Sequence, residues 1–166
     1  MMRKRLMAVL IWMVSFGLLA ACGGKETYKP VDIQAGVDKC EVCHMLISDN
    51  QHATEIVLKD KRVLKFDDIG DMFAWLKENG EEQVGAKFVR DYRTKEWVEL
   101  EKATFVYDPG FHTPMGYGVL SFQSEEEADK FIQEQGTGRK MTPADLANHT
   151  WEQHATQDQH GHDSNH

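Results

Sequence analysis

Arg62-Val63-Leu64-Lys65-Phe66-Asp67-Asp68-Ile69-Gly70-Asp71-Met72-Phe73 is the stretch that decides the fold. Its first half is a short run of branched and aromatic residues, the composition of a strand. Its second half changes period: Ile69, Met72, Phe73 and Leu76 fall at i, i+3, i+4 and i+7, one buried face of a helix. Asp67 or Asp68 can accept the free amide protons at the helix start. Asn79-Gly80 supplies the stop, because glycine accepts the left-handed conformation at a helix end.

Upstream, Thr54-Glu55-Ile56-Val57-Leu58-Lys59 is a second β-branched run, separated from Arg62–Phe66 by Asp60-Lys61. That spacing predicts a hairpin. Downstream, Lys87 to Tyr92 reads as a strand and Glu96 to Leu100 as its hairpin partner. The second half of the chain follows the same plan. Ala103 to Tyr107 is strand-like, Asp108-Pro109-Gly110 is a turn, and Gly118 to Phe122 is another strand. Ser124 with Glu127 forms a capping box, opening a helix with Ala128, Phe131 and Ile132 inward and Gly136 as its stop. Val63-Leu64-Lys65-Phe66 and Val119-Leu120-Ser121-Phe122 precede the two helices, and each glycine stop comes 14 residues after the phenylalanine. The expected fold class is α+β, with two related β-β-α-β halves carrying antiparallel hairpins and one helix each. A chance likeness of two amphipathic units is the alternative.

The chain opens with Arg3, Lys4 and Arg5, followed by an uncharged apolar run from Leu6 to Ala21. Sixteen residues are short of the ~20 a membrane span needs, whereas a basic start and a short apolar run describe an export signal. The run ends Leu19-Ala20-Ala21-Cys22, which resembles a lipobox. Residues 1–21 are therefore expected to be a lipoprotein signal peptide, with Cys22 lipidated and residues 22–37 a tether. An acylated cysteine holds a protein at a membrane surface, so the expected location is extracytoplasmic, anchored to the bacterial cell membrane. Loss of the three basic residues moves the net charge from −8 to −11. Nucleic-acid binding needs clustered Lys and Arg, so that class is excluded.

Cys40 and Cys43 remain, in C-x-x-C spacing. A bridge closing so short a loop would stabilise little, which shifts weight to metal or redox chemistry. Cys40-Glu41-Val42-Cys43-His44-Met45, with His52 further on, concentrates soft ligands beyond what a core needs. Thiolate and thioether prefer Cu(I), so Cys40, Cys43 and Met45 are candidate ligands, with His44 beside them and His52 as an accessory. Met115 lies in Thr113-Pro114-Met115-Gly116-Tyr117-Gly118, a bend where backbone can approach a ligand closely. Neighbouring His112 is a second accessory candidate. No nucleophile motif, phosphate loop or isolated carboxylate pair points to an enzyme. From His149 onward His149, His154, His160, His162 and His166 stand among polar residues, and residues 148–166 read as a disordered tail. Such a tail is either a loose metal buffer or simply solvated.

The cluster ending in Met45, the Phe66-Asp67-Asp68 helix entry, Val89-Arg90-Asp91-Tyr92 and the Thr-Pro-Met-Gly-Tyr-Gly loop together resemble the NosL family. The resemblance covers residues 38–145, within a domain taken as 38–147, plus the lipobox. It implies a lipoprotein copper chaperone, not an enzyme, that binds Cu(I) through residues matching Cys43, Met45 and Met115. It implies hand-over to nitrous oxide reductase and its ABC-type assembly complex. It also implies two homologous β-β-α-β halves. Two other readings stay open: a thiol–disulfide oxidoreductase using Cys40 and Cys43, and a zinc site using the cysteines and histidines.

Overall fold

The computed structural model describes residues 26–154. The signal peptide, Cys22 and the tail beyond His154 lie outside the described residues. Among those described, no helix is long and apolar enough to cross a membrane.

Strands β1 (Thr54–Leu58), β2 (Val63–Phe66), β3 (Val84–Arg90) and β4 (Trp97–Glu99) form an antiparallel sheet in the order β2-β1-β3-β4. β1 is buried along its whole length; it occupies the interior of the sheet, paired as Ile56↔Leu64 on one side and Ile56↔Lys87 on the other. Helix α1 (Ile69–Asn79) connects β2 to β3. Asp68 accepts the Gly70 N–H, and Gly80 at φ 72° donates its N–H to the Leu76 carbonyl. Both ends are as the sequence predicts.

The second half repeats the arrangement. β5 (Thr104–Tyr107), β6 (Val119–Phe122) and β7 (Arg139–Met141) form a sheet in the order β6-β5-β7, with helix α2 (Glu125–Gln135) between β6 and β7. In each half the first strand is flanked by its hairpin partner and by the strand that returns after the helix. This is the expected pair of β-β-α-β units. β7 and the short helix α3 (Pro143–Ala147) add to the sequence reading. Arg139-Lys140-Met141 buries only Met141 and shows no apolar alternation. Thr142 and Asp145 do form a capping box around Pro143, a local signal for α3.

The halves share one core. Ile56, Phe66 and Met72 of the first cluster with Phe105, Met141 and Leu146 of the second. Asp91 stitches them: one carboxylate oxygen accepts the Thr94 N–H and hydroxyl, and the other accepts the Gln123 N–H at 2.8 Å. Tyr92 donates its N–H to the Ser121 carbonyl, and its ring packs edge-on against Phe131 at 5.3 Å.

Both flanking segments pack more than the sequence predicts. Ile33, in the segment read as tether, is buried in the core, and Val31 donates its N–H to Glu55 at 2.8 Å. Lys65 reaches the Asp32 carbonyl at 3.0 Å and the Asp38 carboxylate at 2.6 Å. At the other end Trp151 stacks on Phe73 with centroids 4.7 Å apart, and His154 donates its N–H to the Gly116 carbonyl at 2.8 Å. Residues 149–154 therefore do not behave as the disordered tail predicted from their composition; the apolar area of Trp151 anchors them.

Glu55 lies on β1 with no solvent exposure and with Oε1 unbonded. Burial pushes its pKa up to about 7, against the opposing pull of the Val31 N–H, Lys65 and Arg90. In an unfolded chain the same group ionises near 4.5. A raised folded value favours the fold below the unfolded pKa, and that contribution is lost as pH climbs through the folded one. Glu55→Gln cannot ionise and keeps an acceptor for Val31. It is expected to flatten the fall in stability between pH ~4.5 and ~7 that the natural protein shows in urea unfolding.

Candidate metal site

The cysteines sit on a tight hairpin ahead of β1. Ile47 donates its N–H to the Asp38 carbonyl, Cys40 to the Met45 carbonyl, and Lys39 bridges Leu46. The turn closes when the His44 N–H reaches the Cys40 carbonyl at 3.0 Å, with His44 at φ 61°. That left-handed backbone favours glycine; the His44 imidazole is exposed. The Glu41 N–H on the Lys65 carbonyl fastens the turn to β2.

Cys40 is 1% exposed and its thiol donates to Asp71 Oδ2 at 3.1 Å. Cys43 is half-buried and donates its N–H to Cys40 Sγ at 3.4 Å. Both cysteines are free. Their sulfurs and an Asp71 carboxylate oxygen all lie within 4.8 Å of one another, close enough to share one ion. Burial pushes the Cys43 thiol up to about 12; the Cys40 thiol and Asp71 push the same way, and the Met45 N–H opposes them.

The Met115 loop arrives at the same helix start from the other half of the molecule. Met115 donates its N–H to Asp68 Oδ2 at 3.0 Å, one helical turn before Asp71. Tyr117 directs its hydroxyl at Asp71 Oδ1, 3.5 Å away. Gly116 and Gly118 adopt φ 74° and 68°, and a Cβ on Gly116 would lie 2.3 Å from the His154 carbonyl oxygen. The loop can therefore be built only with glycine there. Burial raises the pKa of Asp68, with Asp71 adding to it and the Thr113 hydroxyl, the Met115 N–H and the Gly70 N–H opposing. Asp67 is raised by burial and by Asp68 and Asp71. Of the three acids, Asp68 is held by the Gly70 N–H of the helix start, Asp67 by the Ser48 backbone, and Asp71 by the Cys40 thiol and the Tyr117 hydroxyl.

The site candidates divide accordingly. Cys40 and Cys43 come together, and Met115 is brought by its backbone to the same turn of α1. Met45 is 46% exposed at the edge of the hairpin. His44 and His112 are exposed and outside the group around the thiols. His52 is half-buried against Tyr92, with centroids 6.0 Å apart, and burial lowers its pKa to about 4, leaving the ring neutral.

A family model described as NosL matches residues 30–151 of the chain. The chain belongs to the NosL family. It is 28% identical over 136 residues to the copper-binding lipoprotein NosL of Stutzerimonas stutzeri, covering 74% of this chain and 69% of that protein. The crystal structure of the copper chaperone NosL from Shewanella denitrificans superposes with a TM-score of 0.62 at 23% identity, over 70% of this chain and 94% of that one. The two-sheet architecture is thus the NosL fold.

Asp71 is the site residue that sequence reasoning missed. It had a signal: it stands three residues after the Asp68 cap, on the same face, directly before the buried Met72. An acid in a first helical turn is usually a dipole partner facing water; here it is 1% exposed. In the metal-free protein, alkylation of Cys43 is expected to keep accelerating with pH through the mildly alkaline range without levelling off, because the thiolate fraction is still rising. Asp71→Asn is expected to lower the Cys43 pKa and speed alkylation at a fixed pH. Mass-spectrometric rates at Cys43 measure both.

Proposed function

We propose that this protein is an extracytoplasmic Cu(I) metallochaperone, held at a bacterial membrane by a lipid on Cys22, that delivers copper for nitrous oxide reductase maturation. The recipient in this reading is the reductase with its ABC-type assembly complex. The observation that carries the proposal is the meeting of two free thiols and the Met115 loop at the first turn of α1. The Stutzerimonas protein, named a copper-binding lipoprotein, and the Shewanella protein, named a copper chaperone, support it.

Cys43, Met45 and Met115 are the proposed principal ligands, with Cys40 and its partner Asp71 behind them and His44 at the rim. Soft sulfur selects Cu(I) over harder ions. Metal entry displaces the thiol protons; Asp71, already accepting from Cys40, is placed to take the first one. Thioethers carry no proton, so Met45 and Met115 contribute equally at every pH. Release proceeds as the recipient's ligands replace these one at a time.

A carrier, not an enzyme, fits the thiol chemistry. A thiol–disulfide oxidoreductase activates its C-x-x-C thiol at a helix N-terminus and keeps it accessible. Here both cysteines sit on a hairpin turn, Cys40 is 1% exposed and burial pushes the Cys43 thiol up. Zinc has one point in its favour, the Asp71 carboxylate beside two thiols. Metal analysis of anaerobically purified protein separates the two ions.

Cys43→Ser is expected to lose most Cu(I) affinity in competition with a chromogenic chelator while its unfolding free energy stays within ~1 kcal/mol of the natural protein. Affinity of the natural protein should rise with pH, about tenfold per unit for each thiol proton displaced. Unchanged affinity in Cys43→Ser would refute the proposed site.

A further inference from the structure

Residues 149–154 close the described chain and run against the loop that carries Met115. Aromatic contacts fix where they lie. The Trp151 indole stacks on Phe73 of α1 at 4.7 Å, with 22° between the planes, and meets the Tyr117 ring edge-on at 5.8 Å. Tyr107 of β5 holds the imidazoles on either side of it. Its ring packs edge-on against His149 at 4.7 Å, and its hydroxyl lies 3.1 Å from His154 Nε2. From these moorings the segment reaches the loop through polar groups. The His154 N–H meets the Gly116 carbonyl at 2.8 Å, and Gln153 Nε2 meets the Tyr117 hydroxyl at 3.4 Å. The family match ends at residue 151, so Gln153 and His154 stand beyond it.

We propose that Trp151 is a positioning residue for the metal site: by pinning residues 149–154 to α1, it fixes the Met115 loop where the Met115 thioether can join the thiolates. The inference rests on the reading of Met115 as a Cu(I) ligand and adds a residue that contributes no ligand atom. The loop needs such a support. Gly116 and Gly118 stand at positive φ, and glycine leaves many other conformations open to the backbone. From the α1 side Asp68 holds the Met115 N–H and the Thr113 hydroxyl. Gly116 and Tyr117 are held from the side of the C-terminal segment. Trp151 spans both parties, because Phe73 belongs to the helix whose first turn carries Asp68 and Asp71, while Tyr117 belongs to the loop. Tyr117 passes the constraint inward: its hydroxyl points at Asp71 Oδ1, 3.5 Å away, and Asp71 Oδ2 accepts from the Cys40 thiol. A ligand on a loop already ordered binds more tightly than one the ion must order for itself, and groups behind the ligands set that order.

The test is a double-mutant cycle in the full-length protein that joins Trp151→Ala to Met115→Leu, with Cu(I) affinity read by chelator competition. Trp151→Ala alone is expected to weaken binding about tenfold, the scale on which groups behind metal ligands act. Added to Met115→Leu, the same substitution is expected to cost less than about twofold, because the thioether it positions is already gone. Trp151→Phe, which keeps a ring on Phe73, is expected to recover the natural affinity. Should Trp151→Ala fail to fold, Trp151→Leu takes its place in the cycle, keeping apolar bulk and losing the stacked plane. If Met115→Leu by itself leaves affinity unchanged, the reading of Met115 as a ligand fails and the proposal falls with it. If Met115→Leu weakens binding but the Trp151 substitution does not, that reading stands and the positioning role is wrong. An equal loss in both backgrounds also refutes it, since a strap that merely stabilises the fold is indifferent to the side chain at position 115.

Discussion

The first turn of α1 is the point on which the two halves and the site all depend. Asp68 and Asp71 stand one helical turn apart, both buried, and between them they take a thiol from the cysteine hairpin and a backbone N–H from the Met115 loop. Buried carboxylates are costly unless they are hydrogen-bonded. Here the bonds that satisfy them are the ones that bring two distant loops together. The helix terminus contributes unpaired amides and the positive end of its dipole. The geometry of the site is in this sense a by-product of satisfying two acids.

The architecture makes that meeting possible. Two β-β-α-β units pack through one core, and each lends a loop: the first supplies the hairpin before β1, the second the glycine-rich turn before β6. Tyr117 fixes the second loop from both sides, its ring filling the space over Gly70 and its hydroxyl aimed at Asp71. The terminal segments reinforce the arrangement. Lys65 ties residues 32 and 38 to β2 beneath the cysteine hairpin, while His154 and Gln153 bond to Gly116 and Tyr117 behind the Met115 loop.

The parts legible in the sequence were those governed by local chemistry. Strand and helix periods, the Asp68 and Ser124 caps and the Gly80 and Gly136 stops could be read residue by residue, and their spacing exposed the duplication. The cysteine cluster was legible because its residue types are rare together. The rest depended on contacts across the chain. The burial of Asp71 is decided by Cys40 and Tyr117, 31 and 46 residues away. β7 is a strand because Val106 and its neighbours offer a free edge, not because Arg139-Lys140-Met141 has strand composition. Residues 28–33 and 149–154 look like linker and tail by composition, and a few anchors (Ile33, Trp151) hold them down.

X-ray absorption at the copper edge of the Cu(I)-loaded, lipid-free domain tests the central claim most directly, since it counts the atoms around the ion. The account predicts a first shell dominated by sulfur, with one sulfur neighbour lost in Met115→Leu although that residue lies in the other half of the molecule. A shell of nitrogen and oxygen, or a sulfur count indifferent to Met115, would contradict it.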